Sequence, residues 1–249
     1  MPRKVLFVRN DPTSPAALLG DAFTELGFDV STFEVVPAHL THDPVIDVTF
    51  PEPSQFDVIV PLGASWSVYD ERLTESWVAA ETDMVRRGLA AGVGVLGVCF
   101  GGQLLAQSLG GAVEPSNAPE IGWCEVDSTS SIVPSGPWFE WHFDRWTLPP
   151  GAREVARNDS ASQAFVHGRA LALQFRPELA HEVLEVGIAD DRDGHAAELG
   201  ISHDSLRSRT AVELDDAARR LRLLVRGFLD EVVTNAVAAT DPDPRPKLR

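Results

Sequence analysis

Val95-Leu-Gly-Val-Cys-Phe-Gly-Gly-Gln103 is the stretch whose reading decides the fold. The apolar run Val93 to Val98 has the continuous hydrophobicity of a strand buried on both faces. Gly101 to Leu109 then opens a helix, so Cys99 stands at a strand-to-helix turn between Gly97 and Gly101. Glycines on both sides let the chain reverse tightly, and the side chain between them projects above the sheet. A thiol placed there meets the free N–H groups and the positive end of the helix, which favour a thiolate. Cys99 is accordingly the candidate nucleophile, with an ordinary buried thiol at a strand end as the alternative.

Outward from this elbow, Val5 to Val8, Val30 to Val36 and Val58 to Leu62 read as further strands buried on both faces. Helices fall between them: Ala16 to Leu26, stopped by Gly27, and Leu73 to Ala91, stopped by Gly92. The alternation predicts an α/β fold with a doubly wound, mostly parallel sheet. From Val113 to Leu173 the punctuation by Pro, Ser and Trp predicts an added antiparallel segment that walls a pocket. Ala170 to Phe175 returns to a buried strand. We expect one domain over residues 1–189. Residues 190–235 then make a polar, mobile connector and an amphipathic C-terminal helix packed on that domain, and 236–249 a disordered tail. The helix carries Leu214, Ala218, Leu221, Val225, Phe228 and Val232 on one stripe. A homodimer or partner interface is the alternative destination of that stripe.

Composition narrows the function. A formal charge of −16 over 249 residues opposes binding to nucleic acid or to an anionic membrane surface. No apolar stretch reaches the ~20 residues a membrane span needs, which leads us to expect a cytoplasmic protein. Two cysteines, Cys99 and Cys124, make neither a disulfide framework nor a zinc spacing. Asp190, Asp191, Asp193, His195 and Glu198 lie in the polar connector and read as a solvated loop, so no metal and no cofactor is expected. The arginines Arg207, Arg209, Arg219, Arg220, Arg222 and Arg226 read as a solvated helix face. Trp66, Trp123, Trp138 and Trp141 fall near the expected pocket, as lining or as core.

Acyl transfer from a cysteine needs N–H donors aimed at the oxyanion. One comes from Phe100, the residue after the nucleophile. The second is expected from Ala64, which follows the strand Val58 to Val60 and turns on Gly63.

These residues in this order resemble the class I glutamine amidotransferases of the Cys-His-Glu triad type, GMP synthase glutaminase-like. The resemblance covers most of residues 4 to 189 and implies a flavodoxin-like sheet and cleavage of a γ-glutamyl C–N bond through a thioester on Cys99. Gly97, Cys99, Gly101 and Gln103 match the family's elbow, and Leu62 to Asp70 its oxyanion loop. Glu120-Ile-Gly-Trp123 and Trp141-His-Phe-Asp144 match its later pocket segments. The resemblance gives Gly63, Gln103, His142 and Asp144 to substrate binding. Its last motif reads Gln174-Phe-Arg-Pro-Glu178, with Arg176 where the family has its catalytic histidine and Glu178 in the place of the residue that orients it. An arginine stays protonated and cannot relay a proton. Arg176 is thus expected to stabilise a thiolate by charge and to pair with Glu178. His181 and His142 are the other imidazoles considered as the base. Two readings follow: a hydrolase or transferase acting on a γ-glutamyl substrate, with a synthase or other amine-accepting partner protein, or an impaired relative that binds a glutamyl-type ligand or partner protein.

Overall fold

The computed structural model describes residues 2–191 and 193–234; the disorder expected over 236–249 falls outside them. Short β-branched runs make the parallel half of one nine-stranded sheet: β1 (Lys4–Arg9), β2 (Asp29–Glu34), β3 (Val58–Pro61), β4 (Gly94–Val98) and β9 (Ala170–Leu173). The antiparallel half is β5 (Ala112–Ser128), β6 (Gly136–Thr147), β7 (Arg153–Arg157) and β8 (Ser162–His167). The order across the sheet is β2-β1-β3-β4-β9-β8-β7-β5-β6. Every residue of β3, β4 and β9 is buried, as continuous apolar runs require. β2 departs from expectation: it is the edge strand, and none of its residues is buried.

Helices cover both faces. α1 (Ala17–Glu25), the end of α7 (His203–Gly227) and the π-helical turn Phe228–Thr234 that follows it pack on one face, where Leu221, Val225, Phe228 and Val232 of the expected stripe join Phe7, Phe23 and Val58. The fit is close enough that a Cβ on Gly94 would lie 2.6 Å from Val233 Cγ2. On the other face lie α3 (Ala79–Ala90) and α4 (Phe100–Ser108). The single helix expected over Leu73 to Ala91 is instead a short α2 (Glu71–Leu73), a π-helical turn Thr74–Val78, and α3. That wider turn carries the fully buried Trp77, whose Nε1 donates to the Pro44 carbonyl at 2.9 Å.

α5 (His181–Asp190) and α6 (His195–Glu198) follow β9, and a third apolar cluster seats them with α7 against the β5–β6 ribbon. Within the segment expected as a mobile connector, contacts gather on Asp191. The side chain of Asp191 has no exposure; it accepts from the backbone N–H groups of His195 and Ala196 and contacts His203 Nε2 at 3.0 Å. The arginine face of α7 is only partly a local affair. Arg222 pairs with Glu25 of α1 and Arg207 with Glu185 of α5, while Arg219 pairs with Asp216. Among the described residues no helix is long and apolar enough to cross a membrane.

Candidate active site

Strand order alone directs attention to one place. From β1 the chain moves outward to β2, then returns to β3 on the opposite side of β1. Between the carboxyl ends of β1 and β3 there is thus a crevice of the kind where open α/β sheets bind ligands. β4 ends beside it, and Cys99 sits on the turn into α4 with φ 52° and ψ −113°. A non-glycine residue rarely holds such a backbone, and strain of this kind concentrates at functional sites.

The flanking glycines act by close approach. Neither Gly97 nor Gly101 has a positive φ; a Cβ on Gly97 would strike the Gly101 carbonyl, and one on Gly101 the Pro61 carbonyl. The turn itself is made by Cys99. Gly63 behaves alike: its φ is not positive, and a Cβ there would lie 3.7 Å from Cys99 Cβ and 3.3 Å from Ser14 Oγ. Gly63 and Ala64 therefore pass directly beside the nucleophile. The loop is anchored by Asp11, whose Oδ2 accepts from Ser65 N–H at 3.1 Å and Ser65 Oγ at 2.8 Å. Asn10 Nδ2 holds the Leu62 carbonyl at 3.3 Å and Glu81 Oε1 at 3.3 Å.

A pocket of about 250 Å³ opens over Cys99, walled by Ala64, Gln103, Trp141, His142, Asp144 and Arg176. The two carboxylate oxygens of Asp144 accept from Ser67 Oγ (2.5 Å) and Tyr69 O–H (2.7 Å), joining β6 to the loop after β3. Gln103 Nε2 donates to the Asp144 carbonyl at 3.3 Å. Arg176 Nε donates to Glu178 Oε1 at 2.9 Å, and its Nη2 to Ser14 Oγ at 3.0 Å. The residues expected from the sequence thus converge, with Glu178 fully buried behind Arg176. His181 does not join them; it opens α5 with an exposed side chain and is absent from the pocket wall.

Opposed influences act on the nucleophile. Burial pushes the Cys99 thiol up to about 12. The Arg176 charge and the Phe100 N–H pull it down, but Glu178 and Glu140 push it up again. The helix end and one paired guanidinium do not outweigh loss of water. The thiol instead points at the Trp141 carbonyl, 3.8 Å away.

Sequence reading missed part of the wall. Thr13 and Ser14 enter from the loop after β1, and Asp190, Asp191, Asp193 and His195 from the supposed solvated connector. The residues after β1 were findable, because they follow a strand end at the switch point. Asp191 was not, because a carboxylate among polar neighbours carries no local sign that the His195 and Ala196 N–H groups turn back onto it. Trp66 and Trp141 line the pocket, whereas Trp123 donates to Thr210 Oγ1 and Trp138 stacks on Phe175 at 4.6 Å, both in the core.

Solved structures share this architecture. A glutamine amidotransferase from Thermotoga maritima superposes with a TM-score of 0.79 at 24% identity, over 93% of this chain and all of that one. Another from Methylobacillus flagellatus gives 0.80 at 19% identity, over 93% and 96%. In sequence, the glutamine amidotransferase-like protein chyE of Penicillium rubens is 31% identical over 181 residues, 64% of this chain and 73% of the fungal protein. The GMP synthase of Thermomicrobium roseum is 34% identical over 137 residues, 51% of this chain; the match spans about a quarter (24%) of that synthase. A family profile described as glutamine amidotransferase class-I matches residues 72–191, the stretch that carries Cys99, Gln103, Asp144 and the Arg176–Glu178 pair. With this elbow, this sheet and these relatives, the chain belongs to the class I glutamine amidotransferase family.

Proposed function

We propose that the protein cleaves the C–N bond of a γ-glutamyl substrate through a thioester on Cys99. The observation that carries this reading is the strained backbone of Cys99 at the floor of a pocket, beside the Gly63–Ala64 turn and at the start of α4. The Ala64 and Phe100 N–H groups hold the oxyanion, Gln103 and Asp144 grip the glutamyl end, and Arg176 is held in place by Glu178. Residue 176 has no lone pair to take the thiol proton, so that proton passes to the departing nitrogen of the substrate as the C–S bond forms and the C–N bond breaks. Water then releases glutamate from the thioester.

An amine that departs readily suits this site better than ammonia, whose expulsion needs an acid. We therefore assign the preferred substrates to γ-glutamyl hydrazides or arylamides, ahead of glutamine. In the amidotransferase version the released amine passes to a separate synthase. The test compares turnover of glutamine and of a γ-glutamyl arylamide by the protein and by Arg176→His. The arylamide should be favoured by the native protein, and the histidine variant should gain on glutamine. Equal turnover of both, unchanged in Arg176→His, would refute it.

One observation favours a second reading: a thiol pushed up to about 12, with no imidazole at position 176. On that reading the chain binds a glutamyl-type ligand and regulates a partner. Saturable ligand binding with no turnover of either substrate would decide for it.

A further inference from the structure

Behind the pocket, the β5–β6 register pairs Glu120 with His142 and Gly122 with Glu140, which puts three ionisable side chains on one face of the ribbon. All three are buried, Glu140 completely. His142 Nδ1 lies 3.0 Å from the Asp144 carbonyl oxygen, which has no proton to give, so Nδ1 carries the hydrogen and Nε2 is the nitrogen left to offer a lone pair to a cation. That nitrogen faces Glu120 Oε2 at 3.1 Å and Glu140 Oε2 at 3.6 Å. Three acceptors therefore meet, all within 4.8 Å of one another. Glu120 is further bonded by Asn158 Nδ2 (2.7 Å) and Gln163 Nε2 (2.8 Å). Glu140 is not: neither of its oxygens has a hydrogen-bond partner. A carboxyl sealed from water without donors is costly, and something positive is called for.

We propose that Glu120, Glu140 and His142 form a binding site for one first-row divalent cation of the zinc or manganese kind. An ion with bonds of about 2.1 Å holds neighbouring ligand atoms roughly 3.0 to 3.4 Å apart, close to the two separations observed. Two carboxylates cancel its charge, so the buried cluster becomes neutral and Glu140 gains its missing partner. One nitrogen and two oxygens match the preferences of Zn²⁺, Mn²⁺ or Fe²⁺. The outer contacts are those of a built site: a backbone carbonyl fixes the imidazole tautomer, and two side-chain amides orient Glu120. The ion would brace the stretch Trp141 to Asp144 from behind, and His142 at the pocket wall offers the way in. The rival occupant is a proton, with imidazolium His142 on Glu120 and Glu140 neutral.

Co²⁺ distinguishes them, because its visible bands report the ligands. The full chain, stripped with chelator, is titrated with Co²⁺ while absorbance and melting temperature are followed. One equivalent should bind with weak visible bands and a raised melting temperature, and Glu140→Gln or Glu120→Gln should weaken binding tenfold or more. No saturable binding to the native protein up to millimolar Co²⁺ would overturn the site in favour of the proton. So would binding with an intense near-ultraviolet thiolate band that survives both glutamine variants but is lost in Cys99→Ala or Cys124→Ser.

Discussion

Glu81 lies on α3 with no solvent exposure, and Asn10 Nδ2 reaches its Oε1 at 3.3 Å. The pair leaves two buried atoms without partners, Asn10 Oδ1 and Glu81 Oε2. A proton on Glu81 supplies the missing donor, and burial, only partly offset by the Asn10 bond, pushes this carboxyl from 4.5 up to about 8. The sign follows. Between those values the folded chain binds a proton that the unfolded chain has released, so this group's contribution falls as pH rises from 4.5 to 8. At about 1.4 kcal/mol per pH unit, the loss by pH 8 is about 4 kcal/mol. That is a large share of the roughly 5–15 kcal/mol that holds a typical domain folded. In Glu81→Gln the side-chain N–H₂ replaces the proton and does not titrate. Urea unfolding of both proteins from pH 4.5 to 8 tests this: the curves should meet near pH 4.5, with the variant ahead by about 4 kcal/mol at pH 8. Other groups titrate equally in both and cancel in the difference. A difference that stays flat to within about 1 kcal/mol would refute the reasoning.

Four further outcomes follow. Phe228→Ala, which removes a fully buried ring from the face shared with β1 and α1, should cost about 3–5 kcal/mol in urea unfolding and spare the pocket. Asp11→Ala frees Ser65 and with it the Gly63–Ala64 turn, so turnover of a γ-glutamyl arylamide should fall roughly a hundredfold in kcat with little change in KM. Asp144→Asn loses charge at the glutamyl end, and KM should rise by about tenfold or more. Alkylation of Cys99 by iodoacetamide in the free protein should climb about tenfold per pH unit through pH 9, with no plateau near neutrality, since burial pushes the thiol up to about 12.

The sheet was legible where sequence carries its own signal. Val58 to Leu62 and Val93 to Val98 are short, β-branched-rich apolar runs bounded by turn residues, the pattern of strands sealed on both sides, and their strands β3 and β4 are buried throughout. Val30 to Val36 misled because edge and centre differ by strand order, which no local pattern encodes. The elbow was legible, but its cause was not. Glycines suggested a turn by dihedral freedom, whereas they are required by the approach of Gly101 to Pro61 and of Gly97 to Gly101. Asp191 looked solvated since its neighbours are polar; the N–H groups of His195 and Ala196, four and five residues on, and the His203 ring turn back onto it. At Cys99 the helix end and burial act in opposite directions. A helix end can be read from sequence, but the depth of a thiol under Trp141 cannot, and depth wins.

The measurement that bears most directly on Cys99 as a nucleophile in a glutamyl pocket is the intact mass of the protein after incubation with a γ-diazoketone analogue of glutamine, beside Cys99→Ala. One adduct per chain is expected, formed in competition with a γ-glutamyl arylamide and absent from the alanine variant. A folded native protein that gains no mass, or an adduct that persists in Cys99→Ala, would contradict it.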